Sequence, residues 1–345
     1  MQGKPNPALK KKMQPDNHLL ATLRAELASA QRILIVSHIR PDGDAIGSLL
    51  GLGLSLQAAG KNVQMVLSDG LPGSFRFLEG AELITKRAEG MFDYRIVVDA
   101  SELMRVGSAL EGHPRPDLNI DHHITNDRFA RQNFVLDDAA ATAEILARYL
   151  PDLGFEIPPA AANALLTGMV TDTIGFRTQN VTPGVLRVAA NLMDLGANLA
   201  GSYYLALVQR SFAAARFWGK GLSQIQCQDG MVWTSLSLAD RRLSGYPGRD
   251  DADLINVLSA VENVEIALIF VEQPSGRVKI SWRLCGPEIN DADVSAVAVQ
   301  FGGGGHRAAA GADVTGRLES VQSEVLEATR RYLDNLRSKL VTTGA

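Results

Sequence analysis

Residues 32–44 read Arg-Ile-Leu-Ile-Val-Ser-His-Ile-Arg-Pro-Asp-Gly-Asp, and this stretch decides the fold. Its first half is nearly continuous in apolar and β-branched side chains. That pattern predicts a strand covered on both faces, as in a parallel sheet. Its second half sets an imidazole and two carboxylates within seven residues, as His38, Asp42 and Asp44. Working outward, residues 62–68, 94–98 and 118–120 also read as strands. Residues 45–59 and 141–150 read as intervening helices. The alternation predicts an α/β, doubly wound parallel sheet in the N-terminal part, over residues 17–190.

Beyond it, residues 183–195 and 202–209 look helical, and a helical linker is expected over 191–215. From 216 to 345 the pattern changes to a smaller C-terminal α/β domain with a mixed sheet. Strands are expected at 231–238, 264–272 and 277–284. The last two flank Gln273-Pro274-Ser275-Gly276, a hairpin turn signal. A glycine-rich loop, Gly302–Gly305, and a terminal amphipathic helix at about 318–340 close the chain.

The 345 residues are enough for roughly two domains of ~150 residues each. The polar, proline-containing start, residues 1–16, reads as a disordered tail. No run approaches the ~18 apolar residues that span a bilayer. The two cysteines, Cys227 and Cys285, form no CxxC pair, which suits a reducing compartment and argues against a thiolate zinc site. A cytoplasmic protein with no membrane partner is expected. The net charge is −4. Proteins that grip long nucleic acid carry a large basic surface, so any nucleic-acid substrate here should be short.

The polar residues gather where strands end. The first strand runs into Ser37 and His38–Asp44, the third into Asp99, the fourth into Asp121-His122-His123. The carboxyl ends of strands in an open parallel sheet face one crevice. Asp172 adds a further carboxylate from a helix end or loop. Asp42, Asp44, Asp99 and Asp172 in one cleft would repel one another and force protonation unless cations are present. Two divalent cations would cancel the four charges. A mixed oxygen and nitrogen donor set suits Mn²⁺, with Mg²⁺ or Co²⁺ as alternatives. Each piece has a plainer reading by itself. Pro41-Asp42-Gly43 is a good turn, Asp44 a good helix cap, and an Asp-His-His triplet a polar loop; Ser37 reads as strand-end packing. Their order, each after an expected strand, is what points to a site.

Together His38-Ile39-Arg40-Pro41-Asp42-Gly43-Asp44, Val98-Asp99, Asp121-His122-His123 and Thr171-Asp172 resemble the motifs of the DHH phosphoesterase superfamily. Phe301-Gly302-Gly303-Gly304-Gly305-His306 and Ala309-Ala310-Gly311 resemble the DHH-associated C-terminal domain. The resemblance covers about residues 32–314 and is greatest to the bacterial oligoribonuclease and 3′-phosphoadenosine 5′-phosphate phosphatase group. It implies one metal held by His38, Asp42 and Asp99, and another held by Asp44, Asp99, His122 and Asp172. Asp121 would orient a histidine, and His123 would face the substrate phosphate. One departure stands out: Leu284-Cys285 follow Arg283, where related sequences usually continue with serine.

The expected reaction is hydrolysis by a hydroxide that two metals activate. The resemblance implies that the substrates are oligoribonucleotides of about two to five nucleotides, cleaved to mononucleotides, and 3′-phosphoadenosine 5′-phosphate, cleaved to AMP. Two metals and four aspartates leave a neutral core, so substrate anions need other partners. Gly303, Gly304 and Gly305 could offer backbone N–H groups, with a helix over 306–310 behind them. His306 and Arg283 would add contacts, and the second domain would close over the first. Arg105 and Arg177, near the motifs, read as surface ion pairs. Alternatives are a phosphodiesterase for cyclic-dinucleotide-derived or short single-stranded DNA substrates, and a nucleotide-binding module without catalysis. Inorganic pyrophosphatases share the metal motifs, but the glycine-rich loop argues against them. The sequence leaves the oligomeric state open, a homodimer included.

Overall fold

The computed structural model describes residues 16–285 and 292–343. The tail expected over 1–16 lies outside the described residues, apart from Asp16, whose side chain caps the first helix. The described chain forms two compact units that divide between Gln209 and Arg210.

The first unit holds strands β1 (Arg32–Val36), β2 (Asn62–Val66), β3 (Ile84–Thr85), β4 (Tyr94–Val98), β5 (Leu118–Asp121) and β6 (Gln132–Val135). Its helices are α1 (Asn17–Ser29), α2 (Gly43–Ala58), α3 (Thr142–Tyr149), α4 (Pro159–Asp172), α5 (Pro183–Asp194) and α6 (Leu199–Tyr203), with a π-helical turn at Tyr204–Val208. All six strands are parallel, in the order β3-β2-β1-β4-β5-β6. The chain reverses its direction of travel across the sheet between β1 and β4, so their carboxyl ends open the crevice where such sheets bind ligands. The doubly wound parallel sheet expected from sequence is present, and β3 and β6 add edges that carry no long apolar run.

The alternation along β1 shows why both faces are covered. Ile33 and Ile35 pack into the cluster with Ile46, Leu49 and Leu165, while Leu34 and Val36 join Val97, Val106 and Ala109 on the opposite side. Within the first cluster α2 and α4 approach closely along Gly43, Gly47 and Gly51, spaced four apart on one face of α2. A Cβ on Gly47 would lie 2.5 Å from the Ala164 carbonyl oxygen and 2.8 Å from the Gly168 nitrogen. Glycine is what lets the two backbones meet. Helix α2 starts at the crevice and α4 ends there, so the seam holds Asp44 beside Asp172.

The second unit holds β7 (Gln226–Gln228), β8 (Met231–Leu236), β9 (Ile266–Gln273), β10 (Arg277–Leu284), β11 (Gly304–His306) and β12 (Ala309–Thr315). Its helices are α7 (Phe212–Leu222), α8 (Leu238–Ser244), α9 (Leu254–Leu258), α10 (Ser295–Ala298) and α11 (Leu318–Thr343). The sheet runs β11-β12-β10-β9-β8-β7 and is mixed: β8 and β9 are parallel, the other pairs antiparallel. Ile266, Leu268 and Phe270 face a core with Val325 of α11, while Ala267, Ile269 and Val271 face one with Phe217 of α7. The hairpin between β9 and β10 turns through Ser275 and Gly276, both at positive φ (70° and 68°).

One expectation is corrected here. Residues 306–310 are not helical: β11 ends at His306 and β12 begins at Ala309, and the two strands pair antiparallel. The glycines are followed by a strand rather than by a helix N-terminus. Alanine favours helix in isolation, but the seven-residue ladder between β12 and β10 overrides that preference.

Candidate metal centre

The crevice is built from three strand ends and two helix ends. After β1 the chain turns through Arg40, at φ 53°, and enters α2 at Asp42, whose Oδ1 accepts from the Asp44 and Ala45 N–H groups at 3.1 Å each. Asp42, not Asp44, is therefore the cap of α2. Ser37 is buried and donates to the Val98 carbonyl at 2.8 Å, a strand-end role. Asp99 follows β4 with φ 57°, a left-handed conformation that a short polar side chain tolerates.

Asp44 does something the sequence did not announce. Its Oδ2 accepts from the Thr142 N–H at 2.7 Å and its Oδ1 from the Ala143 N–H at 2.9 Å. Ala141, which precedes α3, provides no side-chain cap. Asp44 thus caps α3 from nearly a hundred residues away, with its charge at the positive end of the helix dipole. The Thr142 hydroxyl donates to Asp99 Oδ1 at 3.0 Å.

The imidazoles are aimed by their outer nitrogens. His38 Nδ1 lies 2.8 Å from the Ile39 carbonyl, so Nδ1–H donates there and Nε2 turns inward. His38 Nε2 is 3.8 Å from Asp42 Oδ1 and 3.5 Å from Asp99 Oδ2. His122 Nε2 is 4.0 Å from Asp44 Oδ2, 3.8 Å from Asp99 Oδ1 and 3.6 Å from Asp172 Oδ2. These gaps exceed hydrogen-bond length. They are closer to the about 3–3.5 Å that separates two ligands each about 2.1 Å from one cation.

Ligand atoms within 4.8 Å of one another form three groups: His38/Asp42/Asp99, Asp44/His122/Asp172, and Asp99/His122/His123. His123 is otherwise committed, because its Nδ1 bonds Asp121 Oδ1 at 2.7 Å. Asp121 is fully buried and also accepts from Asn126 Nδ2 at 2.6 Å. The structure thus brings His38, Asp42, Asp44, Asp99, His122 and Asp172 together, with Asp121 and His123 beside them. Two participants, Thr142 and Asn126, carried no sequence signal, since a single threonine or asparagine has no spacing pattern of its own.

The electrostatics describe a site that wants positive charge. Burial pushes the Asp44 carboxyl well above the usual range, and the charges of Asp99 and Asp172 push it further. Burial and the charges of Asp42 and Asp99 do the same to Asp172. Asp99 goes the other way: burial opposes its charge, but His38, His122 and His123 outweigh that and hold it below the usual range. Burial disfavours charged His38, yet Asp42 and Asp99 raise it to about 10; His123, against the same penalty, is raised by Asp121 and Asp99 to about 9. Without a cation, protons fill in on His38, His123, Asp44 and Asp172. The donor set and its spacing fit a divalent ion in their place.

The other expected site residues lie in the second unit. Arg283 is the penultimate residue of β10, and burial pushes its guanidinium below the ordinary value, against the pull of Asp251 and Asp253. The ladder puts Arg283, Ala309 and His306 on one rung; the His306 side chain lies outside the described residues. Gly303 and Gly305 press against β12: a Cβ on Gly305 would lie 2.5 Å from the Ala309 carbonyl oxygen, and one on Gly303 2.8 Å from Ala312 Cα. Gly304 has open space beside it. Among the described residues, no helix is long and apolar enough to cross a membrane.

Residues 32–169 match the N-terminal domain of the DHH family, and residues 243–335 match the DHHA1 domain. The chain is 36% identical over 307 residues to the bifunctional oligoribonuclease and PAP phosphatase NrnA of Thermus thermophilus, covering 87% of this chain and 90% of that one. It is 27% identical over 295 residues to the protein of the same name from Mycoplasma genitalium, covering 84% and 90%. In fold it resembles an exopolyphosphatase-related protein from Bacteroides fragilis, with a TM-score of 0.83 at 23% identity over 94% of this chain and 98% of that one. The motifs, the crevice they line and these matches agree: the chain belongs to the DHH phosphoesterase family and carries a DHHA1 domain.

Proposed function

We propose that the protein is a two-metal phosphoesterase that cleaves oligoribonucleotides of about two to five nucleotides to mononucleotides, and 3′-phosphoadenosine 5′-phosphate to AMP. The observation that carries the metal reading is the split of Asp99. Its Oδ2 faces His38, which in turn faces Asp42, and its Oδ1 faces His122, which in turn faces Asp44 and Asp172. His38, Asp42 and Asp99 would hold one ion; Asp44, Asp99, His122 and Asp172 the other. Mn²⁺ suits the mixed donors.

Bound there, divalent ions supply a Lewis acid for the phosphoryl group and lower the pKa of water toward about 7. The chain's own residues do the rest. The capping bonds and the α2–α4 seam hold the carboxylates in place. Asp121 fixes the ring of His123 and keeps it charged, ready to meet a phosphoryl oxygen. Arg283, Gly303, Gly304, Gly305 and His306 are the proposed grip on the nucleotide. The substrate assignment is supported by the names of the relatives and by the net charge of −4, which leaves no excess of basic residues to track a long strand.

The test is a panel of 5′-labelled RNAs two to ten nucleotides long, plus adenosine 3′,5′-bisphosphate, with Mn²⁺. The shortest RNAs should yield mononucleotides and the bisphosphate should yield AMP. Asp99→Ala should lower kcat by more than the about 100-fold typical for loss of a ligand's supporting partner. Unchanged turnover in that variant would remove the metal reading. Hydrolysis of neither substrate by the wild type would remove the substrate reading.

A further inference from the structure

The geometry points to Thr142 as a positioning residue that locks the bridging carboxylate, Asp99, in the rotation that serves both ion sites; the inference rests on the function proposed above. Thr142 is fully buried at the first position of α3. Its hydroxyl donates to Asp99 Oδ1 at 3.0 Å and its N–H to Asp44 Oδ2 at 2.7 Å. One residue therefore touches the carboxylate that follows β4 and the one in the first turn of α2. Both contacts are made by a β-branched residue with little rotamer freedom, at a helix start whose backbone is fixed.

Asp99 needs such a fixture because its surroundings pull it in several directions. Three imidazoles face it: His38 Nε2 at 3.5 Å, His122 Nε2 at 3.8 Å and His123 Nδ1 at 3.9 Å. All three contacts are longer than the 3.0 Å bond from the Thr142 hydroxyl, which therefore holds the carboxylate most tightly. Among the described residues Thr142 is the neutral side chain that bonds it. With the hydroxyl on Oδ1, Oδ2 lies 3.5 Å from His38 Nε2, while Oδ1 also lies 3.8 Å from His122 Nε2. A carboxylate free to rotate would give both oxygens to one side, and one ion would lose its share.

Thr142→Val removes the hydroxyl while keeping the side-chain shape and the N–H bond to Asp44. Calorimetric titration with Mn²⁺ of Thr142→Val, Thr142→Ser and Asp99→Ala separates the outcomes. Thr142→Val should weaken Mn²⁺ binding by about 10–100-fold, the usual effect of losing an outer partner. Thr142→Ser should bind close to wild type. In turnover assays the half-saturating Mn²⁺ concentration of Thr142→Val should rise, and excess Mn²⁺ should restore kcat while KM for RNA stays put. A merely structural role would show neither the serine rescue nor the metal rescue. Should Thr142→Val fail to fold, as read by circular dichroism, Thr142→Ala carries the same expectations. If Thr142→Val binds Mn²⁺ within twofold of wild type while Asp99→Ala does not bind, the inference about Thr142 is overturned alone. If Asp99→Ala also binds like wild type, the metal reading beneath it goes as well.

Discussion

The carboxylate cluster of the first unit and the glycine run of the second are both crowded, but in opposite ways. The cluster crowds charge: Asp44, Asp99 and Asp121 are at most 2% exposed and lie among three histidines. The glycine run crowds backbone: Gly303 and Gly305 leave no room for a methyl group against β12. The first kind of crowding can be read from residue types, because buried carboxylates need compensation whatever the details. The second depends on register, which residue types alone do not reveal. The α2–α4 seam joins the two, since backbone crowding at Gly47 is what keeps the charge crowding at Asp44 and Asp172 in place.

The sharpest way to break this comparison is through pH. In the metal-free protein Asp44 and Asp172 bind protons above the ordinary carboxylate range, and His38 holds one up to about 10. Binding a cation must displace them, so affinity should fall on acidification and rise with pH through the neutral range. Each proton released contributes up to about tenfold in Kd per pH unit, or about 100-fold for two. Mn²⁺ calorimetry in buffers of different ionisation enthalpy counts the protons directly; a Kd independent of pH would mean the charge crowding is not real.

A smaller effect tests the seam. Gly47→Val forces atoms onto the Ala164 carbonyl and should destabilise the protein by roughly 1–3 kcal/mol, the usual cost of overpacking. Thermal melting measures that, and a parallel loss of Mn²⁺ affinity would tie the seam to the site. The smallest effect is in the second unit. Gly303→Ala meets Ala312 and should cost about 1 kcal/mol or more, whereas Gly304→Ala, with open space beside it, should be near neutral in stability. Equal melting temperatures for the two would mean that Gly303 does not press on β12 as described.

Much of this was legible in the chain itself, unevenly. The run before Ser37 specified a buried parallel strand because β-branched residues on both faces leave few alternatives. Residues 277–284 were expected as a strand and β10 spans Arg277–Leu284, its hairpin announced by Pro274-Ser275-Gly276. Strands β3 and β7 carry little sequence signal, because one is two residues long and the other reads Gln-Cys-Gln, exposed throughout. The alanines near His306 suggested helix, and only pairing with a neighbouring strand could say otherwise. In the crevice the charged residues stood out by type and position after strands. Thr142 and Asn126 did not, since each acts through a single bond to a residue far away or around a turn.

The cap that Asp44 places on α3 ties chemistry to architecture. Because the carboxylate that caps α3 comes from the first turn of α2, that cap forms only when α2 and the start of α3 have come together. It also means that exchange protection of the Thr142 and Ala143 amides reports on that carboxylate. An Asp44→Ala variant would lose turnover and fray α3 together, so natural selection for either stability or catalysis alone would retain the same aspartate.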